Sequence, residues 1–342
     1  MRSFPKPAAG VLCLVALACA GCSSGGAGGT DAAAGPSAAT SSSSPSSSAA
    51  SGTSYAPYVS ATTAGATDAA GSPATYNLAF VIADGSTCAP AWNGTEAVDD
   101  PAVRSRIAAL RTSGASVRVS FGGAFGKELA SVCGSARELA DAYATALDQA
   151  GSSQADFDVE GSQLADSASV ARRSEAIALL QKERGDLKVS YTLPVMPSGL
   201  DADGLALLES ANDHAVEVST VNIMTMNYGS SYAEDMGDYA IASAGAAHRQ
   251  LEKVFGLSAR DAWRGLALTS MIGVNDVDNE TFTLDDAAQV RAFAEGKEIA
   301  WVSMWSAFRD RSCARGAAAA DAATDCSGVR QTPGAFAEAL AG

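Results

Sequence analysis

Eight short apolar runs recur along the chain, and helical periods separate most of them. They are YAPYVS (55–60), YNLAFVIA (76–83), SVRVSFGG (116–123), ADFDVE (155–160), LKVSYTLPV (187–195), STVNIMTMNY (219–228), GLALTSMIGV (265–274) and IAWVSMWS (299–306). Several are continuously apolar, the pattern of strands covered on both faces. Ser135 to Ala150 reads as a helix. Leu139, Tyr143 and Leu147 step by four, Ser135 can cap, and Glu138 can complete a capping box. Residues 168–184 and 285–295 read similarly, and Thr332-Pro333 is placed to open a last helix. Strand and helix alternating in this way predict an α/β chain closed as a (β/α)8 TIM barrel, one domain over 55–342. An open doubly wound sheet is the rival, but no GxGxxG follows the first strand. In a barrel, chemistry belongs at the C-terminal strand ends.

The fourth run carries acids on alternate residues: Asp156, Asp158 and Glu160, with Phe157 and Val159 between them. Side chains of a strand alternate faces, so the three acids share one side, roughly 6.6 Å apart in succession. Phe157 and Val159 then face the apolar layer under the helices, and the acids face the barrel interior with Glu160 nearest the open rim. Three carboxylates in a partly dry space cannot all ionise, so at least one pKa should be raised. A carboxyl still protonated near neutral pH serves as a general acid. A merely wet acidic edge strand, and a Mg²⁺ site, are the alternatives to that reading. No further metal ligands are evident, so no metal and no cofactor are expected.

The rest of the chain frames this domain. Arg2 and Lys6 precede an apolar run, Val11 to Ala20, and small residues follow it, so residues 1–21 read as a signal peptide. CAGC at 19–22 resembles a bacterial lipoprotein signal with Cys22 as the lipidated residue; ordinary secretion is the alternative. Residues 22–54 are almost wholly Ser, Gly, Ala, Thr and Pro and read as a disordered tether, reaching on the order of 30 Å. The protein is therefore expected outside the cytoplasm, secreted or on the cell surface, with a lipid anchor as its one link to membrane. A net charge of −15 argues against nucleic acid as a partner. Beyond the first 22 residues four cysteines remain: Cys88, Cys133, Cys313 and Cys326. In an exported chain they suggest two disulfides. Three pairings are possible, and Cys88–Cys133 with Cys313–Cys326 is favoured because each closes a local loop.

SQADFDVE (153–160) resembles the DxxDxDxE signature of glycoside hydrolase family 18, the chitinases, with Ser153 at the position of the first Asp. SFGG (120–123) is similar to that family's SxGG motif, MTMNYG (224–229) to its sixth-strand motif, and SMWS (303–306) to its eighth strand. YTLPVMPSGL and MIGVND resemble a bacterial branch of the family. The resemblance spans 55–342, with its motifs in order. It implies a retaining glycosidase that cleaves chitin or N-acetylglucosamine oligosaccharides, using the substrate's own acetamide as nucleophile. Glu160 would be the general acid and base, Asp158 would position the acetamide and share a proton with Asp156, and Tyr228 would contact the acetamide oxygen. Trp305 would floor the sugar site, with Ser120, Gly122, Gly123, Met226, Asn227 and Asn275 as further candidate substrate or support residues, although for Asn275 and Asp276 a turn is the better reading. Asn227 and Gly229 stand where the family usually has an Asp beside the Tyr. A non-catalytic carbohydrate-binding barrel and an endo-β-N-acetylglucosaminidase are the competing functions. Only four tryptophans are present, which favours soluble oligomers over crystalline chitin. A monomer is expected.

Overall fold

All eight predicted runs become parallel staves of one barrel. The computed structural model describes residues 52–316 and 321–342. The first strand, β1, is in two pieces, Ser54–Tyr55 and Tyr58–Ser60, and the others are β2 (Thr75–Ala83), β3 (Ser116–Gly122), β4 (Gln154–Asp158), β5 (Lys188–Pro194), β6 (Val218–Met224), β7 (Leu266–Met271) and β8 (Trp301–Trp305). Each pairs in parallel with its sequence neighbours. The break in β1 closes the ring: Ser54–Tyr55 pairs with β8, and Tyr58–Ser60 pairs with β2. The fold is a TIM barrel.

Helices cover the outer face: α1 (Pro101–Leu110), α2 (Ala136–Ala150), α3 (Ser167–Glu183), α4 (Ala202–Asp213), α5 (Met236–Phe255), α6 (Leu284–Lys297) and α7 (Ala335–Ala341). No helix of the described residues joins β1 to β2. The period-four residues Leu139, Tyr143 and Leu147 of α2 are all buried. Ser135 caps α2 by accepting from the Glu138 N–H at 3.2 Å. The Glu138 carboxylate, however, accepts from the Gly134 N–H at 3.0 Å, so its half of the capping box slips by one residue. At the other end of the chain, Thr332 and Pro333 do not open α7. They form the preceding turn, with the Ala335 N–H on the Thr332 carbonyl at 3.2 Å, and Gly334 precedes the helix in the left-handed region at φ 86°. Both favoured disulfides are present, Cys88–Cys133 and Cys313–Cys326, with Cα separations of 4.7 and 5.0 Å.

Ordered barrel begins before residue 55. Thr53 is buried with its hydroxyl on the Ala294 carbonyl at 3.0 Å, and the Ser54 N–H bonds the Ala300 carbonyl at 3.1 Å. Residues 1–21, Cys22 and the tether as far as 51 lie outside the described residues. Among the described residues, no helix is long and apolar enough to cross a membrane.

Candidate active site

Strand register explains the chemistry of β4. Asp156 sits level with Ser120 of β3 and Ser190 of β5, and Asp158 sits level with Gly122 and Thr192. Phe157 points outward and is buried against Phe121, Tyr143 and Tyr191, at ring-centroid distances of 5.4, 5.0 and 5.8 Å. Val159 is buried on the same side. The acids are thus left facing inward.

Their three environments differ. Asp156, deepest, lies within reach of four hydroxyls: Tyr58 at 2.9 Å, Ser120 at 2.7 Å, Ser190 at 2.7 Å and Thr192 at 2.9 Å from its nearer oxygen. The network runs on through the Asn222 amide, which donates to Thr192 at 2.9 Å and accepts from Thr269 at 2.9 Å. Asp158, one step toward the mouth, has no such ring. Burial, then the neighbouring Glu160 and Asp156 charges, push its carboxyl well above the ordinary range, and it hydrogen-bonds Glu160. One buried Asp158 oxygen, Oδ1, has no hydrogen-bond partner. Glu160 follows the end of β4 at the rim. Burial raises its pKa, the Asp158 hydrogen bond lowers it, and the Asp276 charge raises it. Asp158 and Glu160 are therefore neighbouring carboxyls at the mouth of the barrel, both with raised pKa. No Asp156–Asp158 pairing of the kind expected is present, because the oxygens of Asp156 are occupied by hydroxyls.

Above these groups opens a cleft of about 400 Å³ lined by Asp158, Glu160, Trp305, Phe80, Met226 and Asn227, among others. Its floor is aromatic. Trp305 stacks on Phe80 with centroids 5.5 Å apart and meets Tyr58 edge-on at 5.8 Å. The peptides Ala79-Phe80 and Trp305-Ser306 are cis. At the edge stands Phe125, which is 88% exposed.

Most of the predicted site residues line this cleft or support it from beneath, and two do neither. Tyr228 is buried behind the cleft. Its hydroxyl faces Ser243 of α5 at 3.4 Å, and its ring packs against Tyr232 and Tyr239. The reason is local: β6 ends at Met224, the Met226 N–H turns back to the Met224 carbonyl at 2.9 Å, and Asn227 takes φ 56°. Strand alternation no longer applies, so Met226 and Asn227 reach the cleft instead. Asn275 is the second correction. Its amide donates to the Met271 and Gly273 carbonyls at 2.9 and 3.0 Å, closing a turn, while the next residue, Asp276, lines the cleft. Ser120 and Gly123 support the site from beneath and behind rather than lining it. Ser153 lies just before β4 begins, at the end of the strand away from the mouth, so its exchange for an acid does not touch the cleft. Tyr58, Phe80, Phe125 and Thr192 were missed. Thr192, like Ser190, was detectable as a polar residue at every second place in an apolar strand, whereas the aromatics join the site only through barrel closure.

No family model matches the chain. It is 34% identical over 275 residues to a "Probable bifunctional chitinase/lysozyme" of Escherichia coli (strain K12), an alignment covering 75% of this chain and 31% of that protein. It is 33% identical over 276 residues to "Endochitinase 11" of Metarhizium anisopliae, covering 75% and 52%. The crystal structure of the catalytic domain of a hyperthermophilic chitinase from Pyrococcus furiosus superposes with a TM-score of 0.74 at 29% identity, covering 84% of this chain and 93% of that one. The barrel is chitinase-like. A GH18 chitinase from Pseudoalteromonas aurantia shares the fold alone, at 15% identity and a TM-score of 0.56. The chitinase-like chain spans about a third of one curated relative and about half of the other.

Proposed function

We propose that this chain is a member of glycoside hydrolase family 18, a retaining chitinase acting on β-1,4-linked N-acetylglucosamine oligosaccharides. The observation that carries the reading is the Asp158–Glu160 carboxyl pair, sharing a hydrogen bond at the mouth of an apolar, Trp305-floored cleft. In that reading a sugar lies on the Trp305 ring and Glu160 gives its proton to the glycosidic oxygen. The acetamide oxygen of the same sugar attacks the anomeric carbon as the bond breaks. The unpartnered Asp158 oxygen would accept the acetamide N–H, which supports the reading because a buried polar atom that lacks a partner would gain one. Water then opens the cyclic intermediate, with Glu160 as base, and the configuration is retained. Asp156 is held in place beneath the pair by its hydroxyl partners. No cofactor takes part.

Incubation with N-acetylglucosamine hexamer is expected to give shorter oligomers whose fresh reducing ends are the β-anomer by proton NMR. Binding of the hexamer without cleavage over long incubation would overturn the enzymatic reading in favour of a carbohydrate-binding barrel.

The exposed Phe125 ring extends the site along the chain of sugars. Phe125→Ala is expected to raise KM for the hexamer by about 3–10-fold, the worth of one ring-stacking contact. The trimer should change less, and Tm should hold because the ring covers no core. We also propose export, on the two disulfides together with the signal-like first 21 residues. Cys22 is the proposed lipid attachment point, and the barrel would act as a monomer.

A further inference from the structure

The loops after β6 and β7 are joined by a set of polar contacts that the proposed reaction does not use. The Asn227 side-chain amide donates its Nδ2–H to the Asp276 carboxylate at 3.3 Å, and its Oδ1 accepts from the Asp276 backbone N–H at 3.2 Å. Behind this clasp the buried Glu280 carboxylate accepts from the Gly229 N–H at 2.8 Å. The Asn279 amide reaches the Ser230 carbonyl at 3.5 Å. The two loops therefore move as one piece, and that piece holds Asp276 on the cleft wall with Glu160. Asn227 contributes hydrogen bonds but no charge, so among the described residues of these two loops that line the cleft, only Asp276 is a carboxylate.

We propose that Asp276, clasped by Asn227, is a positioning residue of this site whose charge keeps the proton on Glu160. The inference rests on the glycosidase reading above and names what regulates its acid. The other charged groups near Glu160 are accounted for. Asp158 shares its hydrogen bond, and Asp156 lies beneath Asp158 among hydroxyls. Arg309 lies behind Asp276, with its guanidinium donating to the carbonyls of Trp305, Val274 and Ala322 rather than to a carboxylate. Asp276 thus acts on Glu160 from the open side of the cleft. Loss of that charge makes loss of the Glu160 proton easier, and the effect agrees in sign with the raised Glu160 pKa.

Asp276→Asn removes the charge and keeps the clasp, because an amide oxygen still accepts from Asn227 and the backbone N–H is untouched. Asp276 is solvent-exposed, so the interaction is partly screened. The expected change is a fall in the Glu160 midpoint of about half to one pH unit at low ionic strength. It is read by carbon NMR of the Glu160 carboxyl, assigned with Glu160→Gln, and needs no turnover. In kinetics the alkaline limb of kcat should move down by the same interval, a loss of about 3–10-fold on that limb. The gap between wild type and variant should shrink as salt is added. A Glu160 midpoint that does not move, or a shift indifferent to salt, would overturn the proposal. A wild type that fails to cleave the hexamer while its Glu160 midpoint still shifts removes the glycosidase reading and leaves the electrostatic link standing.

Discussion

Glu160→Gln is expected to lower kcat on N-acetylglucosamine hexamer by about 10²–10⁴-fold, the usual contribution of a positioned proton donor, with KM nearly unchanged. The split follows from what the substitution alters. Gln matches the size and neutrality of protonated Glu160 and still offers an amide to Asp158, so the sugar meets the same cleft. It cannot release a proton to the departing oxygen. Neither remaining carboxyl of the cleft can take its place. Asp158 is deeper, with its own oxygen free for the substrate, and Asp276 is tied to Asn227 at the outer wall. The pH profile provides a second reading of the same variant. In the proposed mechanism activity requires the protonated form, and burial raises the pKa of Glu160 above the usual carboxylate value. Activity should therefore be full below that raised pKa and fall as pH climbs through it. Residual turnover of Glu160→Gln should lose that limb. Equal kcat for the two proteins would remove Glu160 from the mechanism.

How much of this was legible without coordinates depended on how local the signal was. The acid triplet was readable because period two in a strand is a backbone property, and Phe157 and Val159 state which face is dry. Ser120 was readable for a related reason: parallel register puts it level with Asp156. Tyr228 was misread because the same period was carried past Met224, where the strand has ended and positive φ at Asn227 and Gly229 turns the chain. For Asn275 the turn, the better of the two readings its sequence allows, is the one that forms, and the substrate contact is not; an amide beside a cleft and an amide closing a turn look alike in sequence. Tyr58, Phe80 and Trp305 form the floor only because β1, β2 and β8 meet when the ring closes. No window of sequence contains all three. The pairing of Asp158 with Glu160, rather than with Asp156, is equally hidden in the sequence. It follows from hydroxyls on β1, β3 and β5 that converge on Asp156 across the barrel.

Gly122→Ala is expected to be the most damaging small substitution near the site, lowering Tm by about 8–15 °C, for a loss of roughly 4 kcal/mol in a domain of this size. Two independent effects add. The residue sits at φ 104°, a region that side chains rarely adopt. A Cβ built there would lie 2.1 Å from the Asp158 carbonyl oxygen, which is backbone and already accepts from the Gly123 N–H at 3.0 Å. Something must move, and the nearest movable piece is the β4 peptide that carries Asp158. Activity should therefore fall further than the unfolded fraction explains, with kcat affected more than KM, because the displaced group is the one that faces the reacting sugar in the proposed mechanism. Gly229→Ala separates the two effects. Gly229 also has positive φ, at 118°, but nothing lies within 4 Å of its Cβ position. It should show only the backbone part, about 1–2 kcal/mol, with kcat close to wild type. If the two variants melt together, the close approach of β3 to the Asp158 carbonyl is not what requires glycine at 122.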